Sequence, residues 1–261
     1  MALFSGSRGG RTRGADEVHV SEKAGIRYLH LGSDTVQSAM RIAAPHELVL
    51  SYTRAMMGFL LFHPEPRHVL MIGLGGGSLA KYLLHTFPSA SVTVVENHPR
   101  VIAAAHAQFM VPRDDPRLSV LLGDGVSHVR AYPGCCDVLM VDGFDAQSQV
   151  EALATEDFYD QCRLALEPGG VLSVNLWSSD SRFDTFLQRI ERVFSGQVVC
   201  LPAERKGNVA VFAVRGRVPV TRWDRLRERA RALEPATGLE LLQFVGRLGE
   251  LNPHSEHRLL L

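Results

Sequence analysis

From residue 68 onward the chain alternates short apolar runs with longer stretches in which apolar residues recur every three or four positions. Val69-Leu70-Met71-Ile72 and Val138-Leu139-Met140-Val141 are unbroken apolar runs. Strands buried on both faces read this way, because neither side of the pleat meets water. The pattern predicts strands over 68–73, 91–96, 118–122, 137–141 and 170–176. It places helices over 78–86, 99–109 and 155–166, and a further one over 180–194. Strand and helix in alternation imply a parallel sheet covered on both faces, and right-handed crossovers make it doubly wound. Residues 197–201 and 208–214 break the alternation, since Arg205-Lys206-Gly207-Asn208 leaves no room for a helix between them. They predict a terminal hairpin and an antiparallel last strand.

The segment before residue 47 has a different texture. Val18 and Val20, then Ile26, Tyr28, Leu29 and Leu31, then Val36, Met40 and Ile42 form short apolar–polar runs separated by Gly or Asp turns. That is the mark of a small antiparallel meander. Two or three strands are marginal alone, so the meander has to pack on something larger. Residues 47–62 read as one helix, with Leu48, Tyr52, Met56, Phe59 and Leu60 on one face. His63-Pro64-Glu65-Pro66 ends it, because proline cannot continue a helix. Residues 223–233 and 239–248 read as terminal helices. Gly-, Ser- and Arg-rich residues 1–16 are expected to be disordered. The expected organisation is therefore 1–16 as a disordered start, 17–46 as a β-hairpin region and 47–261 as one large α/β domain.

Composition narrows the function. The 261 residues carry 28 Lys plus Arg against 28 Asp plus Glu. Zero net charge argues against a nucleic-acid binder, which shows a basic excess. The Arg-rich stretch 222–231 is interleaved with Asp224 and Glu228 and reads as a solvated helix face. No apolar run approaches the ~18 residues of a membrane span, and the start lacks the apolar core of a signal peptide. The four cysteines form no CxxC pair, and HExxH is absent. A reduced, cytoplasmic chain without a metal is expected. Cys135-Cys136 read as packing residues, and His254-Ser255-Glu256-His257 as a solvated tail.

Ligands of doubly wound sheets sit beyond the carboxyl ends of the strands. The first such end reads Gly73-Leu74-Gly75-Gly76-Gly77-Ser78. Glycines permit tight turning and close backbone approach to a ligand, and the helix that follows offers free N–H groups. The second ends in Glu96, which could accept both ribose hydroxyls of a nucleoside. The third is followed by Gly123-Asp124-Gly125, where Asp124 either takes a hydrogen bond from a base or caps a helix. The fourth ends in Asp142-Gly143-Phe144-Asp145. Four carboxylates around one cleft would repel one another and raise each other's pKa. A sulfonium or an amine would relieve that repulsion, so the expected ligand is a small cation.

At these residues the chain resembles the spermidine synthase (polyamine aminopropyltransferase) family, whose large domain has the class I S-adenosylmethionine-dependent methyltransferase fold. The likeness runs from the meander to about Val214. It is carried by 63–73, by Asp115-Pro116-Arg117-Leu118 through Gly125, by Val141-Asp142-Gly143-Phe144-Asp145, by Phe158-Tyr159 and by 166–170. It implies a mostly parallel seven-stranded sheet with an antiparallel last strand, a small N-terminal β region and a homodimer. It also implies transfer of an aminopropyl group from decarboxylated S-adenosylmethionine to putrescine, with methylthioadenosine leaving. On this reading Gly73, Gly75, Gly76, Gly77, Glu96, Asp124 and Gly125 hold the nucleoside, with Gln37 contacting it. Asp142 is the base and Asp145 holds an acceptor amine. By residue type Tyr52 and Tyr159 either line the acceptor site or pack in the core or at its rim.

The sequence departs from the family pattern in one direction. Where the family's glycine loop carries an Asp that anchors the donor's amine, this chain has Gly76. Where the preceding helix carries Tyr-His-Glu, this chain has Tyr52-Thr53-Arg54. The family's D-S-S-D-P becomes Asp142-Gly143-Phe144-Asp145-Ala146. Loss of an acid at 76, and gain of Arg54 if it faces the cleft and not solvent, would suit the carboxylate of intact S-adenosylmethionine. Three readings stay open on the sequence: an aminopropyltransferase, a methyltransferase using intact S-adenosylmethionine on a small acceptor, and a non-catalytic nucleoside-binding dimer. Residues 147–153 are the expected lid.

Overall fold

The computed structural model describes residues 17–32, 35–143, 150–204 and 207–261. The expected disorder of 1–16 lies outside them. Three strands, β1 (Val18–Lys23), β2 (Ile26–Leu31) and β3 (Val36–Arg41), form an antiparallel sheet in the order β1-β2-β3. A short helix α1 (Ser51–Met56) and a 3₁₀ turn (Met57–Leu61) lead into the large sheet. Its first elements are β4 (His68–Ile72), α2 (Ser78–Thr86), β5 (Ser91–Glu96), α3 (Pro99–Gln108), β6 (Leu118–Leu122) and α4 (Gly125–Ala131). Next come β7 (Cys136–Val141), α5 (Glu156–Ala165), β8 (Leu166–Trp177), α6 (Phe183–Val193), β9 (Val198–Pro202) and β10 (Asn208–Val214). Helices α7 (Trp223–Thr237) and α8 (Leu241–Leu248) follow.

The seven strands lie in the order β6-β5-β4-β7-β8-β10-β9. All neighbours are parallel except that β10 runs antiparallel to both β8 and β9. The last strand in sequence thus inserts between β8 and β9, giving the mostly parallel seven-stranded sheet expected.

Alternation along the central strands divides the core in two. Val69 and Met71 of β4 face one buried cluster, which also holds residues of α2, α3, α7 and α8 and takes Leu29 and Met40 from the small sheet. Leu70 and Ile72 face the other, built largely from α5, α6 and their strands. The small sheet therefore buries its apolar side on the large domain, as two or three strands must.

Several expectations shift at element edges. Residues 47–62 do not form one helix. Leu50 precedes α1 without a side-chain cap, and Gly58 is pressed onto the sheet so closely that a Cβ there would lie 2.8 Å from Leu201 Cδ2 and 3.0 Å from Phe212 Cζ. The chain tightens into a 3₁₀ turn to make that approach. Helix α4 escaped the periodicity because Gly-Val-Ser-His-Val-Arg-Ala buries only Gly125 and Val129. Strand β8 begins earlier than expected and carries Glu167-Pro168-Gly169-Gly170 within it, with a register shift opposite Cys136–Val138.

The strand order reverses between β4 and β7, and the two ends meet closely there. Gly73 has φ +97°, and a Cβ on it would lie 2.4 Å from the Asp142 carbonyl oxygen. The Asp142 N–H donates to the Ile72 carbonyl at 3.0 Å. Backbone cannot yield as a flexible side chain can. Gly73→Ala should therefore lower unfolding stability by about 2–3 kcal/mol. Gly134→Ala, also at positive φ (+64°) but with nothing within 4 Å, should cost about 1 kcal/mol. Urea titration of both variants checks the difference.

Candidate active site

A cavity of about 830 Å³ opens at the carboxyl ends of the large sheet's parallel strands, under the small sheet. Its walls bring together Gln37, Tyr52, Gly73, Gly75, Glu96, Asp124, Gly125 and Asp142.

At one end Glu96 is buried. Its Oε2 accepts the Leu74 N–H at 2.9 Å and its Oε1 accepts the His98 N–H at 2.9 Å. The carboxylate is thereby fixed between the glycine loop and the start of α3, with further lone pairs available to hydroxyl donors. Asp124 does both things the sequence allowed: it lines the cavity and caps α4. Its Oδ2 accepts the Ser127 N–H at 2.9 Å and the Ser127 hydroxyl at 2.7 Å, and these bonds hold its carboxyl below the usual range. A Cβ on Gly125 would strike Ile72 Cγ2 at 2.4 Å, so α4 starts directly against β4.

Two of the four loop glycines turn away from the cavity. Gly76 faces Phe109 and Ser38, where a Cβ would lie 2.7 Å from Phe109 Cδ1 and 2.8 Å from Ser38 Oγ. Gly77 has φ +66° at the start of α2, with Val111 Cγ2 at 2.3 Å from the position of a Cβ. Their absence of side chain serves packing between the loop, the small sheet and the end of α3.

The other end centres on Asp142. Asp142 Oδ2 accepts the Tyr52 hydroxyl at 3.1 Å and Oδ1 accepts Asn175 Nδ2 at 2.9 Å. Asn175 Oδ1 in turn accepts Asn208 Nδ2 at 3.0 Å. The Tyr52 hydroxyl also lies 3.2 Å from the Gln37 carbonyl. Burial raises the Asp142 carboxyl above its ordinary value, and the Asn175 and Tyr52 hydrogen bonds offset part of that rise. Burial, then the charge of Asp142 and the hydrogen bond to it, keep the Tyr52 phenol protonated far above its usual range.

Other expected residues stand elsewhere. Arg54 is turned from the cavity. Its Nε lies 3.0 Å from both carboxylate oxygens of Glu240, its Nη2 also pairs with that carboxylate, and Nη2 reaches the Gly238 carbonyl at 3.1 Å. Tyr159 is fully buried beside Phe158 in the core under α5, and burial pushes its phenol up. Its apolar neighbours, rather than a substrate, explain an aromatic at that helical position. Asp145 and residues 147–149 of the expected lid lie outside the described residues, whereas Val150, Ala152 and Leu153 line the cavity.

Asn175, Asn208 and Trp177 also line the cavity and escaped the sequence reading. Their signal was there: Asn175 interrupts the apolar run Val171–Leu176, and buried strand interiors do not carry an amide without a partner. Among the described lining residues three are acids, Glu96, Asp124 and Asp142, and none is Lys or Arg.

The raised Asp142 carboxyl has a consequence for stability. The folded chain binds this proton more tightly than the unfolded chain does. Its contribution is full below the unfolded pKa and is lost as pH rises through the folded one. Asp142→Asn should therefore raise the urea midpoint at pH 7, and the margin should shrink to nothing below about pH 4. Urea midpoints across pH for both proteins check this sign.

Comparison with known proteins bears on the same residues. The family model described as Spermine/spermidine synthase domain matches residues 49–215. A curated polyamine aminopropyltransferase from Chromobacterium violaceum is 46% identical over 245 residues, 94% of each chain. Another from Neisseria meningitidis is 42% identical over 243 residues, 93% of this chain and 92% of its own. Among solved structures, a spermidine synthase in complex with the transition-state analogue AdoDATO shares the fold at TM-score 0.62 and 24% identity, over 82% of this chain and 78% of its own. Human methyltransferase-like protein 13 in complex with SAH does so at TM-score 0.65 and 25% identity, over 72% and 93%. With the match spanning the glycine loop, the four parallel strand ends that follow it and the terminal hairpin, the chain belongs to the spermine/spermidine synthase family of transferases.

Proposed function

We propose that the protein transfers the aminopropyl group of decarboxylated S-adenosylmethionine to putrescine or a related amine and releases methylthioadenosine. The observation that carries this reading is a half-buried carboxylate, Asp142, fixed by Tyr52 and Asn175 in a cavity whose described walls bear acids and no Lys or Arg. A protonated amine has no lone pair, so a base must take its proton before it attacks. A carboxyl raised by burial is a better base than an ordinary one. The attacking nitrogen bonds to the carbon next to sulfur as the carbon–sulfur bond breaks. The electron pair returns to sulfur, which leaves as a neutral thioether and needs no acid. Alignment of nitrogen, carbon and sulfur supplies much of the acceleration.

In this reading Glu96 takes the ribose hydroxyls, and Asp124 and the chain around Gly73, Gly75 and Gly125 take the rest of the nucleoside. Gln37 contacts the nucleoside, Tyr52 orients the base, and Asp145 holds the acceptor's amine. The intact-donor alternative drew on Gly76 and Arg54. Arg54 is satisfied by Glu240, outside the cavity, so no described cation meets a donor carboxylate. That leaves Gly76 alone in its favour. A cytoplasmic homodimer belongs to the same proposal. The four unpaired cysteines fit a reducing compartment. Among the described residues no helix is long and apolar enough to cross a membrane.

Calorimetric titration with decarboxylated donor, intact donor and methylthioadenosine, followed by addition of putrescine, separates the readings. Decarboxylated donor should bind more tightly than intact donor, and aminopropyl product should form. Tighter binding of the intact donor without aminopropyl transfer would contradict the proposal. Asp142→Asn should lower turnover at least ~100-fold with methylthioadenosine affinity within about twofold. Normal turnover in that variant removes Asp142 as the base.

A further inference from the structure

We infer that the Arg54–Glu240 ion pair positions the catalytic end of the cavity by clamping α1 to the junction of α7 and α8. The inference rests on the proposed role of Asp142. Helix α1 has six residues and no side-chain cap at its N-terminus. A helix that short is unstable by itself, so its direction is set by what its side chains grip. Beside the buried packing of Thr53, Ala55 and Met56, two polar grips lie close together on opposite sides of it. Tyr52 reaches into the cavity and donates to Asp142 at 3.1 Å. Two residues on, Arg54 reaches away from it, meets Glu240 through Nε at 3.0 Å and donates to the Gly238 carbonyl at 3.1 Å.

The far side of the clamp is built to hold still. Gly238 ends α7 at φ +64°, and Glu240 precedes α8. The Tyr82 hydroxyl of α2 donates to the Thr237 carbonyl at 2.8 Å, and Glu234 Oε1 accepts the Leu242 N–H at 2.8 Å. The turn at 237–240 is thus tied at once to α1, which carries Tyr52, and to α2, which follows the glycine loop. The ion pair is partly buried, with side chains 28% and 23% exposed. The two groups sense each other: the Glu240 hydrogen bond raises the Arg54 guanidinium, and Arg54 holds Glu240 below its ordinary value against its burial. Bidentate guanidinium–carboxylate pairs fix orientation as well as charge. The family match ends at residue 215, so this grip on the catalytic helix comes from a segment outside it. Arg54 and Glu240 do not line the cavity that holds Asp142, which makes them positioning residues and not catalytic ones.

Steady-state kinetics of Arg54→Met, Glu240→Gln and the charge-exchanged pair Arg54→Glu/Glu240→Arg test the clamp. Each single variant should lower kcat roughly 10- to 100-fold, the loss expected from ångström-scale misplacement. KM for the nucleoside donor, held at the Glu96 end, should stay within about twofold. The Tyr52 hydrogen bond lowers the Asp142 pKa, so loosening it should move the acidic limb of the pH–kcat profile to higher pH. The exchanged pair should recover much of the loss and return that limb toward its starting pH. Single variants with unchanged kcat and unchanged acidic limb, in a parent that transfers the aminopropyl group, would overturn the clamp. If the parent transfers nothing, the proposed function fails separately, and amide hydrogen exchange then decides the clamp. Faster exchange across α1 in both single variants, at unchanged exchange in β4 and β7, supports it. Unchanged exchange in α1 overturns it.

Discussion

A carboxylate drawn partly out of water must find donors or take up a proton, and at Asp142 the fold meets that demand with two donors. Tyr52 comes from the short helix below the small sheet, and Asn175 from the neighbouring strand β8. Asp142 can sit between them only because β7 runs beside β4 and because Gly73 lets the two strand ends close on each other. The rest of the architecture can be read from that contact. The parallel order sets the acid at a carboxyl end, the hairpin of β9 and β10 brings Asn208 behind Asn175, and the small sheet roofs the space. Satisfied polar networks of this kind are rigid, and truncating one member leaves its partners unpaired.

The electrostatics follow from the same placement. Equal numbers of acids and bases leave the whole chain with no net formal charge, yet the described cavity wall is one-sided. Arg54, the counter-charge that the sequence offered, is spent on Glu240. Many other arginines are likewise paired away from the cavity, Arg117 with Asp115, Arg130 with Asp157, Arg182 with Asp180 and Arg192 with Glu156. A small cation entering the cleft meets acids whose geometry is already fixed. It need not order them, and pre-organisation of that kind favours binding and catalysis alike.

The large sheet was legible because its strands are apolar on both faces and its helices are not. The runs at 91–96, 118–122 and 208–214 and the helix at 78–86 stand where the periodicity placed them. The same logic located the cavity, since strand ends in this topology carry the ligand, and Glu96, Asp124 and Asp142 all fall there. What was not legible depended on side-chain direction. Arg54 and Tyr52 lie two apart on a helix and therefore face different ways, but nothing local says which faces the cavity. Tyr159 has the composition of a pocket residue and the environment of a core one. Gly76 could not be read as a packing glycine without knowing that Phe109 and Ser38 crowd it. Asn175 was visible as a polar break in an apolar strand, whereas Asn208 merely opens the next one, and only the antiparallel register of β8 with β10 joins them.

The central claim is that Asp142 is a half-buried, donor-held carboxyl that binds its proton more tightly than an ordinary aspartate. Carbon-13 NMR of the aspartate carboxyl carbons, with the Asp142 resonance assigned by its loss in Asp142→Asn, measures this directly across pH. The midpoint should lie above the ordinary aspartate value of about 3.9, and it should move further upward in Tyr52→Phe, where one donor is lost. A midpoint at or below the ordinary value, unmoved by Tyr52→Phe, would contradict the claim.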